Sequence, residues 1–252
     1  MKLGCLPYLN VRPLVHSLEN GELPDGWELA YAPPSQLAKM LAAGEIAAAP
    51  VSIFATFLYT DFSICPGICI AADGPVISVL LISKKEPKDI ETVALDTSSL
   101  SGANMLKILL KESYGMEPAF IRMPPDPVSH MLDVCDAAMV IGDPAMLYPK
   151  DGLFVMDLAA EWKKLTGLPA VFAVWAGKGI TPELVDILHD AKAKGMAKVH
   201  QIALEESKRL ELPFEVCDEY LSKIIHYDMG EKEVESIRTF HKKAVEHGLV
   251  RA

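Results

Sequence analysis

The chain is poor in the features that announce a function class. Cysteine occurs five times in 252 residues, at Cys5, Cys65, Cys69, Cys135 and Cys217. An odd, scattered set in a chain this long is no disulfide framework. Cys65 and Cys69 are four apart, but Pro66 and Gly67 lie between them and no second Cys or His pair follows, so no metal is expected. No apolar run reaches the roughly 18 residues that span a bilayer. No run of Lys or Arg exceeds two, and the net charge is −10, which argues against a nucleic-acid partner. "LGC" at Leu3–Cys5 has the look of a lipoprotein cleavage box, but only two residues precede it, with no basic or apolar leader. The sequence has no Gly-Lys-Ser/Thr phosphate loop, no dinucleotide fingerprint and no legible Ser-His-Asp or Cys-His spacing. The expectation is a cytoplasmic protein with reduced thiols, no cofactor and no membrane partner.

Half the residues are hydrophobic and 23% are charged, enough for a real core. The apolar periodicities alternate between strand and helix. A strand over Met1–Leu6 precedes a helix over Val11–Glu19, in which Leu14, Val15 and Leu18 share a face. Trp27–Pro33 alternates as a second strand. Ser35 is expected to cap the next helix, which buries Leu37, Met40 and Leu41 and stops at Gly44. Ile46–Ser52 is a third strand. A long β-rich segment covers Val76–Ser83. A second strand-and-helix run follows: strand Thr92–Asp96, helix Ala103–Tyr114, strand "PAFIRM", a short helix at "HMLDVCD", strand Ala137–Asp143. After strand "LPAVFAVWAGK" the chain turns helical, with Thr181 as a cap and a break near Gly195. This βαβ order implies parallel sheets. The pattern reads as α/β with two lobes: residues 1–82 with 175–252 in the first, 83–174 in the second, and a ligand cleft between them.

In such sheets ligands bind beyond the carboxyl ends of strands. Several strand ends here are polar. The first carries Tyr8, Asn10 and Arg12, with Asn10 placed as an N-cap and Pro13 in the first helical turn. Ser52 ends the third strand, and Ser78 lies inside an apolar segment, where a lone hydroxyl needs a partner. The turn "DTSSLSG" sets Ser98, Ser99 and Ser101 before a helix, where free amides and hydroxyls suit a carboxylate or phosphate. Gly142-Asp143 ends a further strand, with Asp143 either an acid, a base or a plain cap. Of the seven histidines, His16 lies in the first helix, and those on the C-terminal helices sit among charges and read as solvated or capping groups.

The segments "YLNVRPL", "APVSIFATF", "PGICIAADGPVISVLLISK", "SSLSGANMLKILL", "AAMVIGDPAM" and "DLAAEWKKLTGLPAVFAVWAGK", in this order, resemble the chorismate dehydratases of the futalosine route to menaquinone. The resemblance runs from about residue 3 to 180. It implies the two-lobed fold of type II periplasmic binding proteins, each lobe a mixed sheet flanked by helices. It also implies a carbon–oxygen lyase that removes water from chorismate to give 3-[(1-carboxyvinyl)oxy]benzoate. Asn10 and Asp143 are the expected catalytic groups. Tyr8, Arg12, Ser52, Ser78, Ser98, Ser99, Ser101 and Gly142 are the expected substrate contacts. The expected partner is this small anion alone, and a homodimer is compatible with it. There is one departure: the relatives' turn reads Ser-Arg-Thr-Ser, whereas here Leu100 stands at the cation and Gly102 at a hydroxyl, so Arg12 is a candidate replacement cation. Two other readings stand beside it. One is the later enzyme of the same route, which makes 1,4-dihydroxy-6-naphthoate and for which His130 would be the candidate histidine. The other is a non-catalytic solute-binding protein or sensor.

Overall fold

The computed structural model of the protein describes residues 1–251. Contacts divide the chain into two units, each built on its own sheet: residues 1–71 with 171–230, and residues 72–170 with those from 231 onward. In chain order the first unit holds β1 (Lys2–Cys5), α1 (Arg12–Ser17), β2 (Glu28–Tyr31), α2 (Pro34–Ala42), β3 (Ala48–Ser52), α3 (Ile53–Leu58) and β4 (Ser63–Ala72). The second holds β5 (Val79–Ser83), β6 (Thr92–Asp96), α4 (Leu100–Tyr114), β7 (Ala119–Met123), α5 (Val128–Val134), β8 (Ala137–Ile141), α6 (Asp143–Leu147), β9 (Phe154–Asp157) and α7 (Leu158–Thr166). The chain returns to the first unit through β10 (Ala170–Gly177), α8 (Pro182–Ala197), α9 (Val199–Leu210), α10 (Phe214–Glu219) and β11 (His226–Asp228). It ends in α11 (Glu231–Glu246).

The two sheets repeat one topology. The first runs β11-β4-β10-β3-β1-β2, and the second β7-β6-β8-β5-β9. In the first, β1 lies between β2 and β3 and is parallel to both, and β10 continues the sheet antiparallel to β3. In the second, β6 lies between β7 and β8 and is parallel to both, and β5 continues antiparallel to β8. Chain order therefore reverses at β1/β3 and at β6/β8. These are topological switch points, where the connecting helices diverge to opposite faces and leave a crevice at the carboxyl ends. Strands β3 and β5 are buried at every residue, as expected for strands covered on both faces. Leu3, Leu14, Leu37, Leu41, Ile53 and Phe54 fill the first core. Leu80, Ile82, Ala94, Met131, Leu132, Ala138 and Val140 fill part of the second.

Several elements differ from the sequence expectation. The unit boundaries fall at 71/72, 170/171 and 230/231, not at 82 and 174. Strand β5 pairs with β8 and β9 and so belongs to the second sheet. The C-terminal helix belongs there too: Trp162 of α7 stands edge-on to Phe240 of α11, 5.4 Å between ring centres, and donates Nε1–H to Ser236 Oγ at 2.9 Å. The first helix is shorter than its periodicity. A 3₁₀ turn over Leu9–Val11 precedes α1, and a wide π turn over Leu18–Glu22 ends it, with Gly21 at φ 95°. Ser35 sits inside α2, and Pro33 takes the cap position. Helix α4 begins at Leu100 rather than Ala103, so Ser101 and Gly102 lie in its first turn. Thr181 caps α8 as expected, accepting from Leu184 N at 3.3 Å. The helical run breaks near Gly195, as expected from the sequence. The break itself falls at Lys198, and Gly195 is where α8 meets the Pro13 carbonyl, leaving no room for a β-carbon.

Candidate functional site

In the first unit, the carboxyl ends of β1 and β3 meet at the switch point, and there stand Tyr8, Asn10 and Ser52. Asn10 is not an N-cap. Tyr8 caps the 3₁₀ turn and Val11 precedes α1, with no side-chain cap bond at either. The Asn10 Oδ1 is buried and has no hydrogen-bond partner. A buried acceptor in that state costs about 1–3 kcal/mol, so a folded chain keeps one where a ligand or water completes it. Ser52 is 6% exposed and sits at the N-cap position of α3 without forming a cap bond.

Arg12, beside them, is committed elsewhere. Its Nη1 donates to Glu19 Oε1 at 2.7 Å, and its Nε lies 3.0 Å from Glu206 Oε1, close enough for an ion pair though not aligned as a hydrogen bond. Glu206 is 4% exposed and also receives Arg209. Burial alone would lower the Arg12 pKa, but Glu19 and Glu206 reverse that and raise it. Glu19 Oε1 also accepts from the Tyr31 hydroxyl, whose pKa burial and Glu19 raise. Next to this network, Cys5 is buried and its thiol is pushed up to about 12, first by desolvation and then by Glu19. That thiol is packed and unreactive.

In the second unit, three polar segments sit at the switch point between β6 and β8. The first follows β6. Thr97 N donates to Met123 O at 2.9 Å, Ser98 N to Asp96 Oδ1 at 2.8 Å, and Ser99 N to Asp96 O at 3.1 Å. These three amides are therefore taken, contrary to the sequence expectation of free ones. Asp96 takes two of them, Ser98 N through its side chain in an Asx turn and Ser99 N through its carbonyl, while Met123 takes the third. The helix-start amides are those of the first turn of α4, which opens at Leu100. Ser98 Oγ is buried and has no hydrogen-bond partner. Gly102 has a packing reason: a β-carbon there would lie 2.3 Å from Met139 Cε and 2.9 Å from Ser99 Oγ. A hydroxyl-bearing side chain there would have to displace the Met139 methyl and the Ser99 hydroxyl.

The second segment is Gly142-Asp143, directly after β8. Gly142 has φ 66° and ψ −149°, a conformation open to glycine alone, and Asp143 opens α6 at 8% exposure. The third is Ser78, which is not inside a strand but immediately before β5, 1% exposed. Its carbonyl accepts from Gly142 N at 2.7 Å, which ties the two segments together.

A groove of about 80 Å³ runs beside the first segment, lined by Leu95, Thr97, Ser99, Leu100, Ala103, Asn104, Lys107 and Arg122. That is room for two or three waters, or one small charged group, at about 30 Å³ per water. Lys107 lies 5.5 Å over the Phe120 ring. Desolvation and the nearby Arg122 charge lower its pKa. No carboxylate pairs with either cation among the described residues. Sequence reading missed both, because they lie on the helix and the edge strand rather than in the turn.

His130 is exposed and pairs with Asp126, which lies just before α5, and this raises its pKa. It belongs to neither polar set. Seven side chains carry buried orphan atoms among the described residues, and three of them, Asn10, Arg12 and Ser98, are expected site residues; the Arg12 Nε faces Glu206 as an ion pair, which leaves the oxygens of Asn10 and Ser98.

The sequence profile described as menaquinone biosynthesis matches residues 1–246. A chorismate dehydratase of Thermus thermophilus is 31% identical over 229 residues, covering 82% of this chain and 82% of that protein. One of Campylobacter jejuni is 27% identical over 250 residues, covering 96% of each. Among solved structures, protein AF1704 of Archaeoglobus fulgidus superposes with a TM-score of 0.80 at 17% identity, covering 99% of this chain and 98% of that one. The periplasmic aliphatic sulphonate binding protein SsuA of Escherichia coli superposes at 0.63 and 17% identity, covering 100% and 88%. The fold is thus that of periplasmic binding proteins.

Proposed function

This chain belongs to the menaquinone biosynthesis family, and we propose that its reaction there is the dehydration of chorismate to 3-[(1-carboxyvinyl)oxy]benzoate, a carbon–oxygen lyase step. The observation that carries the reading is the pair of orphaned buried oxygens, Asn10 Oδ1 and Ser98 Oγ, at the switch points where ligands bind in such sheets. The likeness to chorismate dehydratases supports it.

Chorismate carries two carboxylates, a ring hydroxyl and a proton on the ether-bearing ring carbon. Removing that proton sends charge through the ring diene toward the ring carboxylate. The C–O bond to the neighbouring hydroxyl then breaks, water departs and the ring becomes aromatic. Losing pyruvate would aromatise the ring too, so the protein must hold the enolpyruvyl arm still. Donors that strengthen as charge reaches the ring carboxylate lower the barrier. Ser98, Ser99 and Ser101, with the first-turn amides of α4, are assigned that role. Lys107 and Arg122 supply positive charge beside them, where Leu100 supplies none. Arg12 is left out of anion binding because Glu19 and Glu206 neutralise it.

Asn10 is assigned to the departing hydroxyl or the side-chain carboxylate, with Tyr8 and Ser52 flanking it. Ser78 and Gly142 hold the substrate near Asp143. The base is assigned to the substrate's own enolpyruvyl carboxylate, since Asp96 is engaged by the Ser98 amide and Asp143 stands at a helix start. The test is to incubate the purified protein with chorismate, follow its ultraviolet absorbance and weigh the product. Loss of one water supports the reading. Persistence of chorismate, or loss of pyruvate, overturns it.

A further inference from the structure

Immediately before Ser78 the backbone is strained. Ile77 has φ 60°, the left-handed region that a β-branched residue avoids. One carboxylate holds it there. Asp157 Oδ2 accepts from Val76 N at 2.9 Å and from Ile77 N at 2.7 Å. The other oxygen, Oδ1, accepts from Ala159 N at 3.0 Å and Ala160 N at 3.1 Å, capping α7. A helix cap needs one side-chain oxygen. Here the second oxygen is spent on a turn about 80 residues away in sequence. That turn ends at Ser78, and the Ser78 carbonyl in turn fixes Gly142, the residue before Asp143.

We propose that Asp157 is a positioning residue for the dehydration: it forces the left-handed turn at Ile77 and so fixes Ser78 and, through it, the Gly142-Asp143 segment. Strained backbone persists only where surrounding structure over-determines it, and it gathers at functional sites. This inference rests on the chorismate dehydratase reading, in which Ser78 meets substrate.

Asparagine caps a helix as well as aspartate does, but it has a single acceptor oxygen. Asp157→Asn therefore keeps the cap of α7 and loses the grip on Val76 and Ile77. A site group displaced by about 1 Å loses on the order of 10²-fold in rate. The expected result is a fall in kcat of about 30- to 100-fold with KM changed far less. Glycine adopts φ above zero without the steric penalty, so Ile77→Gly in the Asp157→Asn background should recover at least about fivefold of the lost kcat. A purely capping Asp157 would give no such rescue. Turnover of Asp157→Asn within about threefold of the unmodified protein, or a loss that Ile77→Gly leaves in place, overturns the proposal. If the unmodified protein leaves chorismate intact, the dehydratase reading fails by itself. Amide hydrogen exchange then tests the clamp alone. Faster exchange at Val76 and Ile77 than at Ala159 and Ala160 in Asp157→Asn supports it, and unchanged protection at all four overturns it.

Discussion

Arg12 donates to Glu19 across 2.7 Å, both side chains mostly buried, and this bond turns the arginine of the first βα turn away from anion binding. With Glu206 on its other edge, the guanidinium ties α1 to α9. Removing one partner of a buried pair leaves the other charge uncompensated. Arg12→Met should therefore destabilise the protein by about 2–3 kcal/mol, below the full range for an orphaned charge because Arg209 still holds Glu206. Urea unfolding measures it. Under saturating osmolyte the folded variant should keep its KM for chorismate; a KM raised about tenfold or more would put Arg12 on the substrate.

Asn10 is predicted to trade stability for activity. Its Oδ1 is buried without a partner, so deleting the amide removes a desolvation penalty of about 1–3 kcal/mol along with the functional group. Asn10→Ala should lower kcat by about 10²–10³-fold while leaving the melting temperature equal or higher. A variant that melts several degrees lower with near-normal kcat would make Asn10 a structural residue.

Asp143 stands at the start of α6, where a carboxylate also serves the helix end. With the proton going to the substrate's carboxylate, Asp143→Asn should lower turnover by less than about tenfold, short of the 10²–10⁴ expected on losing a general base. A larger drop, with loss of the acidic limb of the rate profile, would name Asp143 as the base.

Asp136 predicts an acid transition in the second unit. Its Oδ1 lies 2.9 Å from Lys85 Nζ, and its Oδ2 accepts from the amides of Glu91 and Thr92. Lys85 foremost, with the two amides and the Thr92 hydroxyl, holds its pKa down at about 2 against the opposing effect of burial. A carboxylate depressed in the folded state stabilises fully above its unfolded pKa of about 3.9. That contribution is lost as pH falls from there toward about 2. The side chain is 18% exposed, so solvent screening reduces the contribution to about 1–2 kcal/mol. Asp136→Asn should be less stable than the unmodified protein at pH near neutral, and the two should converge below pH about 2 in denaturant titrations.

Gly195 reports on the wall behind the Asn10 turn. A β-carbon there would fall 1.7 Å from the Pro13 carbonyl oxygen, a backbone atom that cannot swing aside. Gly195→Ala should cost about 3 kcal/mol by forcing α8 off α1. Thermal unfolding measures that, and turnover at low temperature should fall as well, since Pro13 follows Asn10 by three residues.

The alternation of apolar runs was enough to order the strands and helices, because burial on both faces imposes continuous apolar strands and a helical stripe wherever they occur. Polar residues at strand ends were legible for the same reason: Ser52 and Asp143 interrupt runs that packing alone would keep apolar. Element edges were less legible. Helix α4 starts three residues early because Asp96 closes the turn before it, and Ser35 lies inside α2 because Pro33 takes its cap position. Assignment of β5 and α11 to the second unit depended on partners distant in sequence, Met139 for one and Trp162 for the other. The sign of Arg12's role depended likewise on Glu206, nearly two hundred residues away. Local sequence carries propensity and periodicity, which act over a few residues. Which charge meets which, and which strained turn a distant carboxylate such as Asp157 holds in place, is settled when the sheets assemble.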